Sequence, residues 1–267
     1  MDLVNRKEID RWIVGESWVN SQIQNHLEKL CNQIGPRWAS SIEERITADY
    51  LYDKLQEYGL DTNHDNFDLD TWNLKNSSLK IEDISLDVRP FNKCPSIDIK
   101  SHIIDVGFGT EREISKYSDQ LRNKIVLMDH GFEPFSKQIH HASRIKMLAE
   151  KSVQAIIVMD KKIGRRMEYH SVNDFRDSAP QKHPVPVVTT SREHGVLLKN
   201  AYQNQALVSL IVESESYSAP ASNVLGKIEG ESKTEHIILC GHHDTVYGSP
   251  GGNDNASGTI GVIETAR

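Results

Sequence analysis

Two groups of side chains near the C-terminal end of the sequence could carry chemistry. Gly241-His242-His243-Asp244-Thr245-Val246 closes an apolar run, and Gly251-Gly252-Asn253-Asp254-Asn255-Ala256-Ser257-Gly258 follows it. An imidazole binds zinc through one ring nitrogen, and a carboxylate two residues on can accept the N–H of the other. That bond fixes the tautomer and raises the basicity of the ligating nitrogen. His242 is therefore a candidate zinc ligand, and Asp244 the candidate catalytic residue that orients it. Asp254 sits in a Gly/Asn-rich loop before a helical pattern, where it can give a hard oxygen to the same ion or bridge two. Two ions about 3.5–4 Å apart activate a shared water and clamp both oxygens of a tetrahedral intermediate. A lone His-His-Asp is ordinary surface decoration and a lone Gly-Gly-Asn-Asp an ordinary turn, so the weight lies in their joint occurrence on one strand–loop–helix frame.

The elements around them must supply that frame. Residues 236–240 (His-Ile-Ile-Leu-Cys) read as a fully buried strand, which would deliver His242 to the crevice at the carboxyl edge of a sheet. Residues 223–228 read as a strand before it, and 256–267 as a helix with Ile260, Ile263 and Ala266 inward. Upstream, 17–34 predicts an amphipathic helix carrying Ile23, Leu27, Leu30 and Ile34, stopped by Gly35-Pro36. Ser41 and Glu44 form a capping-box pattern opening a helix with Ile42, Leu51, Leu55 and Tyr58, closed by Gly59. Residues 61–85 read as extended. From residue 86 short apolar runs alternate with turns, with one amphipathic helix over 137–151 and a surface loop over 160–184. The expected fold class is α/β: a mixed sheet flanked by helices, with an inserted β-rich module. The expected boundaries are 1–85, 86–215 for the insert and 216–267.

Composition removes several classes of function. Of 267 residues, 37% are hydrophobic and 26% charged, as suits a globular chain, and the formal net charge is −7. No basic stripe is available for nucleic acid. The three scattered cysteines form neither a disulfide framework nor a cysteine zinc cluster. The charged N-terminal stretch lacks the apolar core of a secretory signal, and no window approaches a membrane span, so a cytoplasmic location is expected. His140-His141 are neighbours about 100° apart on a helix and make no chelate. Ser191 and Ser257 lack a Gly-x-Ser-x-Gly elbow. Cys240 reads as a small core residue.

The motif Gly-His-His-Asp-Thr-Val, the loop Gly-Gly-Asn-Asp-Asn-Ala-Ser-Gly and the closing Val-Ile-Glu-Thr-Ala-Arg resemble the co-catalytic-zinc aminopeptidases, the aminopeptidase Y-like metallopeptidases. Asn223-Val-Leu-Gly-Lys-Ile-Glu-Gly, Gly35-Pro-Arg37 and the helix after Ser40 are similar to other parts of that family. The central run, with Val106-Gly-Phe-Gly-Thr110 and Asn123-Lys-Ile-Val-Leu127, resembles its inserted protease-associated domain. The resemblance implies His242 as a ligand of one zinc, Asp254 as the carboxylate bridging two zinc ions, Asp244 as the orienting residue and His243 as non-ligating. It also implies a cis peptide after Asp254 and a peptide or protein substrate cleaved at its N-terminus, and it leaves the oligomeric state open.

The family pattern further requires a Glu-Glu pair, another Asp and a final His. The sequence ends at Arg267, soon after Asp254, so a truncated chain with only the first part of the metal site is expected. Glu43-Glu44 lies in the wrong chain order, and Glu264 reads as structural. The alternatives are an inactive fragment or interaction protein using the protease-associated domain, and a carboxypeptidase or glutaminyl cyclase of the same fold.

Overall fold

Asn20 and Ser21 divide what the apolar spacing presents as one helix over 17–34. In the computed structural model, which describes residues 3–168, 185–232 and 234–267, helix α1 (Leu3–Val19) stops there. The Asn20 side-chain amide donates to both carboxylate oxygens of Glu16 at 2.9 Å, and Ser21 Oγ accepts from the Ile23 amide at 3.3 Å. Short polar side chains that bond the nearby backbone compete with helix continuation. A second helix, α2 (Ile23–Leu27), then runs into a wider turn over Glu28–Ile34. That turn closes with the Gly35 amide on the Leu30 carbonyl at 3.0 Å.

The chain divides into two compact units, residues 1–70 with 218–267, and residues 71–217. In the first, α3 (Ile42–Glu57) opens on Ser41, whose hydroxyl accepts from the Glu44 amide at 3.1 Å. Only half of the expected capping box forms: the Ser41 amide donates to the Trp38 carbonyl, and the Glu44 carboxylate is used elsewhere. Gly59, at φ +84°, ends the helix in a backbone conformation that suits glycine. Leu30, Ala256 and Ile260 form one buried cluster, and Leu51, Leu55 and Ile263 another. Both include the inner face of the last helix, α7 (Ser257–Ala266), with Ile260 and Ile263 inward as expected. Each such side chain, fully withdrawn from water, contributes about 1.5–3 kcal/mol.

The second unit holds a mixed sheet. Its parallel centre is β4 (Ile97–Asp105), β5 (Ile125–Asp129), β6 (Ala155–Met159) and β7 (Val187–Thr190), in register Ile104↔Val126↔Ile156↔Val187. Strands β5, β6 and β7 are buried at every residue, the signature of a parallel sheet covered on both faces. The long strands β1 (Asp61–Ile81) and β8 (Leu207–Lys227), with β2 (Ile84–Leu86) and β3 (Arg89–Pro90), complete the order β2-β1-β8-β4-β5-β6-β7-β3. The outer parts of β1 (61–70) and β8 (218–227) belong to the first unit.

Among the described residues three helices flank this sheet where one or two were expected: α4 (Glu111–Lys116), α5 (His141–Ala149) and α6 (Arg192–Gln203). Helix α5 begins at His141, not 137, because His140 caps it, its ring nitrogen accepting from the Ala142 amide at 3.3 Å. The expected loop over 160–184 is described only to residue 168; the rest lies outside the described residues. No helix of the described residues is long and apolar enough to cross a membrane.

One buried titratable group in the first unit makes stability pH-dependent. His26 is 2% exposed, with Nδ1 2.5 Å from the Tyr50 hydroxyl and Nε2 3.6 Å from Glu264 Oε1. Burial holds its pKa below the usual 6.5, with Glu264 pulling the other way and Lys54 and Arg267 assisting burial. The folded state therefore favours the neutral ring. Its stabilising contribution is complete above about pH 6.5 and is lost as pH falls from there through the lowered folded-state value. Melting temperatures at pH 7.5 and 5.5 should fall further for the wild type than for His26→Gln. Equal falls in both would refute this assignment.

Candidate metal centre

Residues 236–240 do not form the buried strand that their apolar run predicts. They have no ladder partner among the described residues, and Ile237 and Ile238 are 94% and 84% exposed. An apolar β-branched run becomes a buried strand only where neighbouring strands flank it. Cys240 is accordingly exposed and not a core residue.

Beyond Gly241 the chain is fixed from behind. The Thr259 hydroxyl donates to the His242 carbonyl at 2.8 Å, and a Cβ on Gly241 would lie 2.9 Å from the Thr259 amide nitrogen. His243 turns inward, its Nε2 2.6 Å from Glu44 Oε1, with both side chains largely buried. Thr245 exchanges bonds with Arg37, accepting from its amide at 2.8 Å and donating its own amide to the Arg37 carbonyl at 2.9 Å.

The second loop is equally constrained. Gly251 adopts φ +58°, and a Cβ there would lie 2.3 Å from Thr245 Cγ2 and 2.7 Å from the Asp254 carbonyl. Only glycine fits both the backbone conformation and that close approach. The Ala256 amide returns to the Gly251 carbonyl at 2.9 Å, the Asp254–Asn255 peptide is cis, and Asn255 Oδ1 accepts from the Gly258 amide at 3.2 Å.

These constraints bring His242, Asp244 and Asp254 together. His242 Nδ1 lies 3.1 Å from Asp244 Oδ1, and Nε2 lies 3.0 Å from Asp254 Oδ1. A neutral imidazole carries one N–H and cannot satisfy two carboxylates. With Nδ1–H given to Asp244, the Nε2 lone pair faces an Asp254 oxygen, an arrangement that a cation shared between them would satisfy. Zinc lies about 2.0–2.2 Å from nitrogen and oxygen donors, so two donors of one ideal tetrahedral ion stand about 3.3–3.6 Å apart. The Nε2–Oδ1 distance of 3.0 Å is a few tenths of an ångström short of that separation, so a small opening of the pair would seat the ion. The His242 and Asp254 side chains are 55% and 75% exposed and open to an incoming ion. Among the described residues no group of three or more His, Cys, Asp or Glu side chains is arranged to hold a metal. Beside His242 lies a cleft of about 530 Å³ whose apolar wall includes Leu51, Leu55, Phe67, Leu69 and Leu225.

Two residues at the centre escape sequence reasoning. Glu44 reads as a capping residue and instead meets His243, while Arg37 reads only as part of a Gly-Pro-Arg turn. No local spacing signals a partner some two hundred positions away. His140 and His141, 4.2 Å apart between ring centroids, lie in the other unit.

Residues 223–267 match the model of Peptidase family M28. The chain is 24% identical over 223 residues to a probable leucine aminopeptidase 2 of Aspergillus oryzae, covering 83% of this chain and 42% of that protein. It is 23% identical to aminopeptidase YwaD of Bacillus subtilis, covering 90% of this chain and 49% of the relative. The chain thus spans about half the length of the curated relatives it matches. Among solved structures, the zinc aminopeptidase BSAP from Bacillus subtilis superposes with a TM-score of 0.72 at 20% identity, over 92% of this chain and 56% of that one. An aminopeptidase from Aneurinibacillus sp. strain AM-1 gives 0.69 at 22% identity, over 95% and 60%. The mixed α/β fold is that of these aminopeptidases, and the resemblance to the metallopeptidases holds.

Proposed function

We propose that the protein is a zinc-dependent aminopeptidase in which His242 and Asp254 hold the first ion and Asp254 bridges to a second. The observation that carries this reading is the His242–Asp254 donor pair at 3.0 Å, with Asp244 behind it, on the segment that matches a peptidase family. Bound zinc would polarise the scissile carbonyl and lower the pKa of a water. The chain's own residues do the positioning. Asp244 accepts the Nδ1–H of His242 and leaves the Nε2 lone pair as the metal donor, Glu44 keeps His243 turned into the protein, and the apolar cleft offers a place for a substrate side chain. The protease-associated insert is read as residues 86–215, which lie within the compact unit 71–217.

Two protein donors are too few for two ions, and among the described residues no group of three or more His, Cys, Asp or Glu side chains is arranged to hold a metal. The 267-residue polypeptide is therefore expected to stay at background in a peptidase assay. The full-length protein is expected to cleave leucine 4-nitroanilide but not its N-acetylated form, to lose activity to a chelator and to regain it with zinc. Chelator-insensitive cleavage, or equal cleavage of the blocked substrate, would overturn the aminopeptidase reading. Zinc-dependent turnover by the 267-residue polypeptide would overturn the donor count.

A further inference from the structure

Behind the donor pair lies a charge that the peptidase reading leaves without a role. Arg37 is fully buried. Its Nε donates to the His243 carbonyl at 2.9 Å, and its Nη1 donates to the carbonyls of Leu30, Gly35 and Pro250 at 2.7, 2.7 and 3.0 Å. Its main chain is bonded twice to Thr245. Burial lowers its pKa below the usual arginine range, while nearby Cys31 and Asp244 oppose the shift. A guanidinium is not deprotonated in proteins, so this is a permanent cation with donors in a fixed planar fork.

The carbonyls it collects are not arbitrary. The His243 carbonyl belongs to the residue between His242 and Asp244, the Pro250 carbonyl immediately precedes the turn that presents Asp254, and Leu30 and Gly35 belong to the helical turn over 28–34 and its cap. One rigid group thus ties both donor-bearing segments to one base. We propose that Arg37 is a positioning residue for the metal centre, setting the separation between His242 Nε2 and Asp254 Oδ1. This inference rests on the zinc reading above. A lysine would keep the charge, but its single ammonium cannot reproduce the fork across four carbonyls, so geometry and charge can be separated by substitution.

The test is a zinc titration of the 267-residue chain against a competing chelator, with His242→Ala defining the baseline. Arg37→Lys is expected to weaken His242-dependent zinc binding by about 10–100-fold, the usual range for groups that support metal ligands. Thr245→Val, which removes only the hydroxyl acceptor of the Arg37 amide, should weaken it in the same direction and serves if the lysine variant does not fold. Arg144→Lys, altering a buried arginine of the other unit, is expected to lower the melting temperature without moving zinc affinity. A merely structural Arg37 would behave in the same way. Wild-type affinity in folded Arg37→Lys or Thr245→Val would overturn the proposal. If the wild type shows no His242-dependent binding, the zinc reading fails, and the clamp is judged on the metal-free chain. There, the ¹⁵N shifts of the His242 ring must move in the variants, and unmoved shifts would refute the clamp.

Discussion

His242→Ala should abolish specific zinc binding, with a loss of well over 100-fold, whereas Asp244→Ala should cost about 10–100-fold. The difference follows from position. His242 offers its Nε2 lone pair toward Asp254, and removing the ring removes the only nitrogen donor of the pair. Asp244 reaches the centre only through Nδ1, 3.1 Å away, so its loss frees the tautomer and ring angle but leaves a donor in place. Asp254→Ala should match His242→Ala, because it deletes the oxygen donor. His243→Gln should change affinity less than any of these, since that ring is turned away toward Glu44. Isothermal titration of the four variants with zinc gives the order directly. A larger loss at His243 than at His242 would move the ligand by one residue and reverse the direction assigned to the segment.

The local signals were legible where chemistry and backbone geometry coincide. Ser41 opens a helix, Gly59 closes it, Ile260 and Ile263 point inward, and the short apolar runs of the central unit become buried parallel strands. Signals that depend on distant chain were not. The apolar run over 236–240 predicts burial by its composition, yet burial requires flanking strands that the described residues do not provide. Glu44 satisfies a local capping pattern, but a buried imidazole is a stronger partner for a carboxylate than an exposed amide already bonded to Trp38. Helix α4 is too short for apolar periodicity to show, and both it and α6 are announced by caps: Thr110 with Glu113, and Ser191 accepting from the His194 amide. Caps and glycines were the more reliable guide, because their physics is contained within a few residues.

The same reasoning gives the largest stability effect, at Arg144 in the second unit. It is 2% exposed; Nη1 donates to the carbonyls of Phe108, Asp129 and Gly131 at 2.7, 3.1 and 2.9 Å, and Nη2 to that of His130 at 3.1 Å. The guanidinium carbon also lies 5.4 Å from the centre of the Phe132 ring. Methionine matches the stem but strands those carbonyls, each unsatisfied buried group costing about 1–3 kcal/mol. Relief from burying a charge offsets part of that loss, as it does when buried ionic groups are replaced by apolar ones. The balance is a destabilisation of roughly 3–5 kcal/mol, the range for breaking one side of a buried charged contact. For a unit of this size that lowers the melting temperature by roughly 10 °C. Arg144→Lys should fall between methionine and wild type, because an ammonium reaches some of the carbonyls. The loss should also be local in hydrogen exchange. The amides of Asp129 and His130, bonded to Gly107 and Met159 at 2.7 and 2.9 Å, should lose protection first, since they anchor the segment that the guanidinium holds. Urea unfolding of Arg144→Met within 1 kcal/mol of wild type would show that water replaces the guanidinium at those carbonyls, and that its burial contributes nothing net to the fold.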